Sequence, residues 1–218
     1  MLFACLYQSG TTWVQSIVAH LLCESDTSPM TSFAHVTDIA PFFERDEYWT
    51  DADKKMDSNC SDEMLAPDVR AKFAKSGRRC FNTHLRWEDL PKGSNGGAWP
   101  RYIYVFRDGR DSLTSFYHHL SSCSIQDGGY EGSFDNFFDD FCENRLVYGR
   151  WHEHLISYSE AIYGSGSDGE ASNNILVLCY EEMLSESGRR EAVMKIAKHI
   201  RYFLFYDFRF PIHSGLYN

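Results

Sequence analysis

Ser9-Gly10-Thr11-Thr12 stands between an apolar run at residues 2–7 and a stretch whose apolar residues, Val14, Ile17, Val18, Leu21 and Leu22, share one helical face. A glycine and three hydroxyls at the mouth of a helix can bind a phosphate. The glycine lets backbone N–H groups converge, the hydroxyls add donors, and the helix N-terminus adds positive potential. The same four residues also suit a plain N-cap, for which Ser and Thr are favoured on structural grounds. They do not form a Walker A loop, which needs Gly-x-x-x-x-Gly-Lys-Ser/Thr.

A second group is Arg107 and Arg110, directly after the apolar run Tyr102–Phe106, with Ser115 further along the following helix. Ligands of open α/β sheets sit at the carboxyl ends of strands, and the planar fork of an arginine can donate two hydrogen bonds to a phosphate. The competing reading is a surface arginine paired with Asp108 or Asp111. His84 is the third candidate, in Asn82-Thr83-His84-Leu85 just past a short segment, Cys80-Phe81, that reads as another strand end. An imidazole with its ordinary pKa of about 6.5 can take a proton from an attacking hydroxyl. Among nine histidines, His118, His119, His152 and His154 fall on helical segments and read as structural.

These residues need a frame that brings strand ends together. Three times an apolar run is followed by a turn and a helix: at residues 2–22, at 102–120 and at 175–200, where Tyr180-Glu181-Glu182 leads into Val193, Ile196, Ala197 and Ile200 in register. Strands alternating with helices predict an α/β fold, a mostly parallel sheet flanked by helices on both sides. Residues 93–97 and 164–174, rich in Gly, Ser and Asn, read as surface loops. Phe134, Phe137, Phe138 and Phe141 fall at helical spacing and read as core, and Trp151, Leu155 and Tyr158 continue as another amphipathic segment.

With 218 residues, 43% hydrophobic and 16% aromatic, the chain is expected to form one domain over residues 1–218. A net charge of −10 argues against sequence-independent nucleic-acid binding, which rests on clustered Lys and Arg. The seven cysteines are odd in number and contain no CxxC pair, so they read as reduced, mostly buried thiols, with no metal site expected. The apolar N-terminus lacks a basic flank and is too short for a signal or spanning segment. A cytoplasmic protein with no membrane association is therefore expected.

Leu6-Tyr7-Gln8-Ser9-Gly10-Thr11-Thr12-Trp13 resembles the phosphosulfate loop of the cytosolic sulfotransferases, Tyr-Pro-Lys-Ser-Gly-Thr-Thr-Trp. Asn82-Thr83-His84-Leu85 is similar to that family's Lys-Thr-His-Leu, and Arg107-Asp108-Gly109-Arg110-Asp111 with Ser115-Phe116-Tyr117-His118 to its Arg-Asn-Pro-Lys-Asp and Ser-Tyr-Tyr-His. The segments Tyr148-Gly149-Arg150-Trp151 and Val177-Leu178-Cys179-Tyr180-Glu181-Glu182 resemble further family segments, in family order. The resemblance implies a P-loop-like sulfotransferase fold and transfer of a sulfuryl group from 3′-phosphoadenosine 5′-phosphosulfate (PAPS) to a hydroxyl or amine of a small acceptor such as a phenol, alcohol or amine. It implies that Gln8, Ser9, Gly10, Thr11 and Thr12 wrap the phosphosulfate, Trp13 stacks on adenine, Tyr180 contacts the base, Arg107 and Ser115 hold the 3′-phosphate, and His84 is the general base. It leaves the oligomeric state open, a homodimer included.

The sequence departs from the family at two charged positions, with Gln8 and Asn82 where the family has lysines. Positive charge placed where charge develops is a large part of such catalysis, and losing one preorganised donor can cost on the order of 10²–10³ in rate. The family's N-terminal extension and its later Arg-Lys-Gly and Gly-Asp-Trp-Lys motifs, which close over the nucleotide, find no counterpart in these 218 residues. The alternative expectation is a catalytically impaired module that binds PAPS or its desulfated product, PAP. A phosphotransferase is the weakest reading, since neither a Walker lysine nor an acidic pair to hold magnesium follows a strand.

Overall fold

Four short strands pair in parallel in the order β2-β1-β3-β4: β1 (Leu2–Cys5), β2 (Phe81–Thr83), β3 (Tyr102–Phe106) and β4 (Ile175–Cys179). The computed structural model describes residues 2–5, 9–22, 36–50, 65–76, 79–92, 100–164 and 173–200. Leu2 lies opposite both Phe81 and Tyr102, and Tyr102 opposite Ile175, so the four carboxyl ends share one edge of the sheet. The chain leaves β1 toward β2 and then returns past β1 to β3 and β4. The crevice at the carboxyl ends of β1 and β3 is thus the switch point at which open α/β sheets take ligands.

The two-residue period of a strand divides β3 between two layers. Ile103 and Val105 face a core with Val14, Ile17, Val18 and Leu21 of helix α1 (Thr11–Leu22) and Ala192, Ile196 and Ala197 of helix α6 (Glu186–His199). Tyr102 and Tyr104 face the other side, with Val69 and Phe73 of α2 (Pro67–Ser76) and Tyr158 and Ala161 of α5 (Trp151–Tyr163). Each fully buried aliphatic side chain contributes about 1.5–3 kcal/mol. That apolar stripe fixes the rotation of α1, and with it the position of Ser9 and Gly10 at the sheet edge.

Between β3 and β4 lie α3 (Gly109–Ser121) and α4 (Phe134–Cys142), which share a small cluster of Leu113, Phe116 and Phe137. The turn after β3 is only Arg107-Asp108. Asp108 caps α3 by accepting from the N–H groups of Arg110 and Asp111, so Gly109 and Arg110 are already helical. The phenylalanine stripe of α4 is only partly core: Phe137 is buried, while Phe134 and Phe138 are exposed. Phe141 is partly buried against the same cluster, so the nine-residue helix packs through two of its four rings. Among Cys80, Cys123, Cys142 and Cys179, all free, Cys80 is buried, so the expectation of mostly buried thiols does not hold for the other three. The loop at residues 93–97 and most of that at 164–174 lie outside the described residues.

Candidate functional site at the carboxyl ends of the strands

Gly10 follows β1 with φ +95°, and a Cβ built on it would stand 2.7 Å from Cδ2 of Tyr180. Only glycine takes that backbone angle without cost and leaves that ring in place. Tyr180 follows β4 and is tied to the end of β3, its N–H donating to the Phe106 carbonyl at 2.9 Å. The Arg107 guanidinium, one residue further along, lies 4.4 Å from the centroid of the Tyr180 ring, a cation–π contact. Three residues singled out from three separate motifs therefore converge where β1, β3 and β4 end.

Ser9 and Thr11 are buried at the start of α1, and the Gly10 carbonyl accepts the first helical hydrogen bond, from Val14 N–H at 3.2 Å. Thr12 is exposed, and Trp13 is half-buried against the core beneath α1. Gln8 lies outside the described residues. Ser115 is half-buried on α3, about two turns beyond the end of β3. Arg110 fulfils the competing reading offered above for both arginines: its side chain is 92% exposed and pairs with Asp108 at 3.2 Å.

Glu181 organises the same rim. One oxygen accepts from Asp108 N–H at 2.9 Å and the other from the Cys179 thiol at 3.2 Å. Burial works against its ionisation, but these two bonds and the nearby Arg107 charge hold the carboxyl below the usual range.

The β2 end forms the other half of the site. Residues 41–43 lie along the outer edge of β2, with Asn82 N–H donating to Pro41 O at 2.8 Å and Phe43 N–H to Asn82 O at 2.7 Å. The Asn82 side chain is buried, and its Oδ1 has no hydrogen-bond partner among the described residues. His84 is half-buried, its ring centroid 5.4 Å from Phe42 and 4.8 Å from Tyr148, and its N–H donates to Glu44 Oε1 at 2.9 Å. Tyr148 holds φ +68°, a conformation that disfavours side chains larger than glycine. Burial, and next the Glu44 carboxylate, push its phenol up.

The rim thus offers hydroxyls, a glycine cradle and an inward guanidinium on one side, and an imidazole between two aromatic rings on the other. Phe42 lies beside His84 at the rim, while Phe43 and Tyr117 pack into apolar clusters. Sequence reasoning missed Glu44 and Tyr148 at His84. No local pattern marks Glu44, which reaches His84 across 40 residues. No group of three or more His, Cys, Asp or Glu that could hold a metal ion occurs among the described residues, and no helix there is long and apolar enough to cross a membrane.

The sequence model of the sulfotransferase domain matches residues 1–202. Luciferin sulfotransferase of Photinus pyralis is 30% identical over 178 residues, 81% of this chain and 44% of its own length. Cytosolic sulfotransferase 5 of Arabidopsis thaliana is 29% identical over 198 residues, 88% of this chain and 53% of its own. The chain therefore spans about half the length of the curated relatives it matches. A mouse sulfotransferase solved in complex with PAP superposes with a TM-score of 0.59 at 19% identity, covering 94% of this chain and 58% of that one, and so shares the fold.

Proposed function

This chain belongs to the sulfotransferase domain family, and from that premise we propose that it transfers a sulfuryl group from PAPS to a hydroxyl or amine of a small acceptor. The observation that carries this reading is the convergence of Gly10, Arg107 and Tyr180 at three strand ends, with His84 at the fourth. The residues fit a nucleotide bearing phosphates: the Gly10 cradle is one that a Cβ would fill, and Arg107 is held against the Tyr180 ring, whereas Arg110 is turned to solvent.

PAPS, when bound, supplies an activated sulfuryl group on a phosphate leaving group. Ser9, Gly10, Thr11 and Thr12, with Gln8 before them, bind the phosphosulfate at the start of α1. Arg107 and Ser115 take the 3′-phosphate, and Trp13 and Tyr180 the base. His84 accepts the proton of the acceptor hydroxyl or amine, which Phe42 and Tyr148 orient by flanking the imidazole. The name of the Arabidopsis relative supports a cytoplasmic location.

The test is incubation with sulfur-labelled PAPS and a panel of phenols, alcohols and amines, beside calorimetry with PAP. Labelled product that depends on the acceptor is expected. Binding of PAP without transfer would reduce the protein to a nucleotide-binding module, and absence of both would overturn the reading.

A further inference from the structure

His84 lies just past the end of β2, where the sheet no longer supplies partners for its backbone, so the polar groups that follow must be satisfied by side chains. Helix α5 supplies most of them. The Leu85 carbonyl meets His154 Nε2 at 3.1 Å and accepts from the Tyr158 hydroxyl at 3.2 Å. Ser157 Oγ accepts from Trp87 N–H and donates to Glu88, both at 2.7 Å. His154, Ser157 and Tyr158 stand three and four residues apart, on one face of the helix. On the other side of His84, its N–H is held by Glu44.

The partners of His154 decide its tautomer. A carbonyl only accepts, so Nε2 carries the hydrogen toward Leu85, and Nδ1 accepts from the Tyr104 hydroxyl 3.3 Å away. Tyr104 in turn stacks on Tyr158, ring centroids 4.0 Å apart. The imidazole of His154 is wholly enclosed, and burial first, then the neighbouring His84, push it down to about 4. At neutral pH His154 is thus uncharged.

We propose that His154 is a positioning residue for His84: its Nε2–H, joined by the Tyr158 hydroxyl, holds the Leu85 carbonyl and so fixes the His84 imidazole between Phe42 and Tyr148 for proton transfer. It acts through the backbone of His84 and Leu85, both of which it engages. A displacement of about 1 Å at a reacting group can cost on the order of 10²-fold in rate, so such a clamp acts on turnover rather than on nucleotide affinity. The turnover part rests on the proposed sulfuryl transfer; the orientation of His84 does not.

The experiment compares wild type, His154→Ala, His154→Gln and Tyr158→Phe in transfer from labelled PAPS to a simple phenol, in PAP calorimetry and in histidine imidazole NMR. His154→Ala is expected to lower kcat by about tenfold or more with KM for PAPS within about twofold and PAP binding unchanged. His154→Gln, which keeps an N–H donor of similar reach, should recover most of that loss, and Tyr158→Phe should lower kcat by about threefold to tenfold. Wild-type kcat in folded His154→Ala, or Ala and Gln variants equally impaired, would overturn the proposal. Should His154→Ala fail to fold, Tyr158→Phe decides, and an unchanged kcat there overturns it.

A wild type that binds PAP yet transfers nothing would count against the proposed function alone. NMR then decides the clamp. His154 is expected as the Nε2–H tautomer, with the His84 ring signals shifted or broadened in Tyr158→Phe; an Nδ1–H tautomer, or unmoved His84 signals, would overturn it.

Discussion

The side of the Tyr180 ring lies where a methyl group on Gly10 would have to be, 2.7 Å from its Cβ, with the backbone of Gly10 at φ +95°. Gly10→Ala therefore meets two obstacles, an unfavourable backbone and an aromatic ring hemmed in by Arg107. We expect a loss of about 1–3 kcal/mol in stability, read by chemical denaturation, together with loss of the PAP-dependent rise in Tm. A variant as stable and as responsive to PAP as wild type would show that the cradle plays no part.

A ligand that binds only the folded state stabilises it by mass action. PAP should raise the Tm of the wild type, and Arg107→Ala should shrink that rise by removing a charge-assisted contact. Arg110→Ala is the control, since that side chain is turned to solvent and paired with its own cap residue. Equal loss in both variants would point to net charge rather than to a site.

His84→Ala should abolish transfer while PAP binding survives, because a general base acts on the acceptor and not on the nucleotide. Partial exposure of His84 makes a large stability loss unexpected. Retained transfer in the purified variant removes His84 from the mechanism.

Acid should destabilise the fold through buried His154 and half-buried His199. His154 and His199 each have their pKa lowered to about 4, in both cases chiefly by burial. Between their ordinary value near 6.5 and that lowered one, the unfolded chain binds more protons, so stability falls as pH falls across this window. For His154 alone the loss from pH 6.5 to 5 is roughly 2 kcal/mol at most. Denaturation curves at both pH values should show a smaller acid loss in His154→Gln than in wild type, and equal slopes would refute the assignment.

Lysine at both positions where the family carries it, Gln8→Lys with Asn82→Lys, should raise kcat more than nucleotide affinity, because charge aimed at the leaving group acts mainly in the transition state. The buried Asn82 Oδ1 has no partner among the described residues, so its removal breaks no bond there. Each change should help alone without the two adding, since both act on one developing charge. Unchanged turnover in a folded double variant that binds PAP would sink the lysine account.

Local pattern determined two strands and the face of the first helix, while β2 and α2 carried little or no signal of their own. The apolar runs Tyr102–Phe106 and Ile175–Cys179 are strands over those same bounds, and the buried stripe of α1 is the one its spacing predicts, because periodicity is set by the geometry of a single strand or helix. The motif residues Gly10, Arg107, Tyr180 and His84 were legible for the same reason, each beside its own turn. Their relation to one another was not. Which arginine turns inward was decided by the Tyr180 ring beneath Arg107 and by the Asp108 cap that engages Arg110, and neither contact can be weighed until β3 and β4 pair.

The same holds around His84. His154 read from the sequence only as a structural histidine on a helix, and its partners Leu85 and Tyr104 come from other parts of the chain. Glu44 carried no signal at all. Hydrogen bonds between distant segments depend on strand order and helix packing, which arise from burial of apolar surface across the whole sheet, and so only the tertiary structure assigns them.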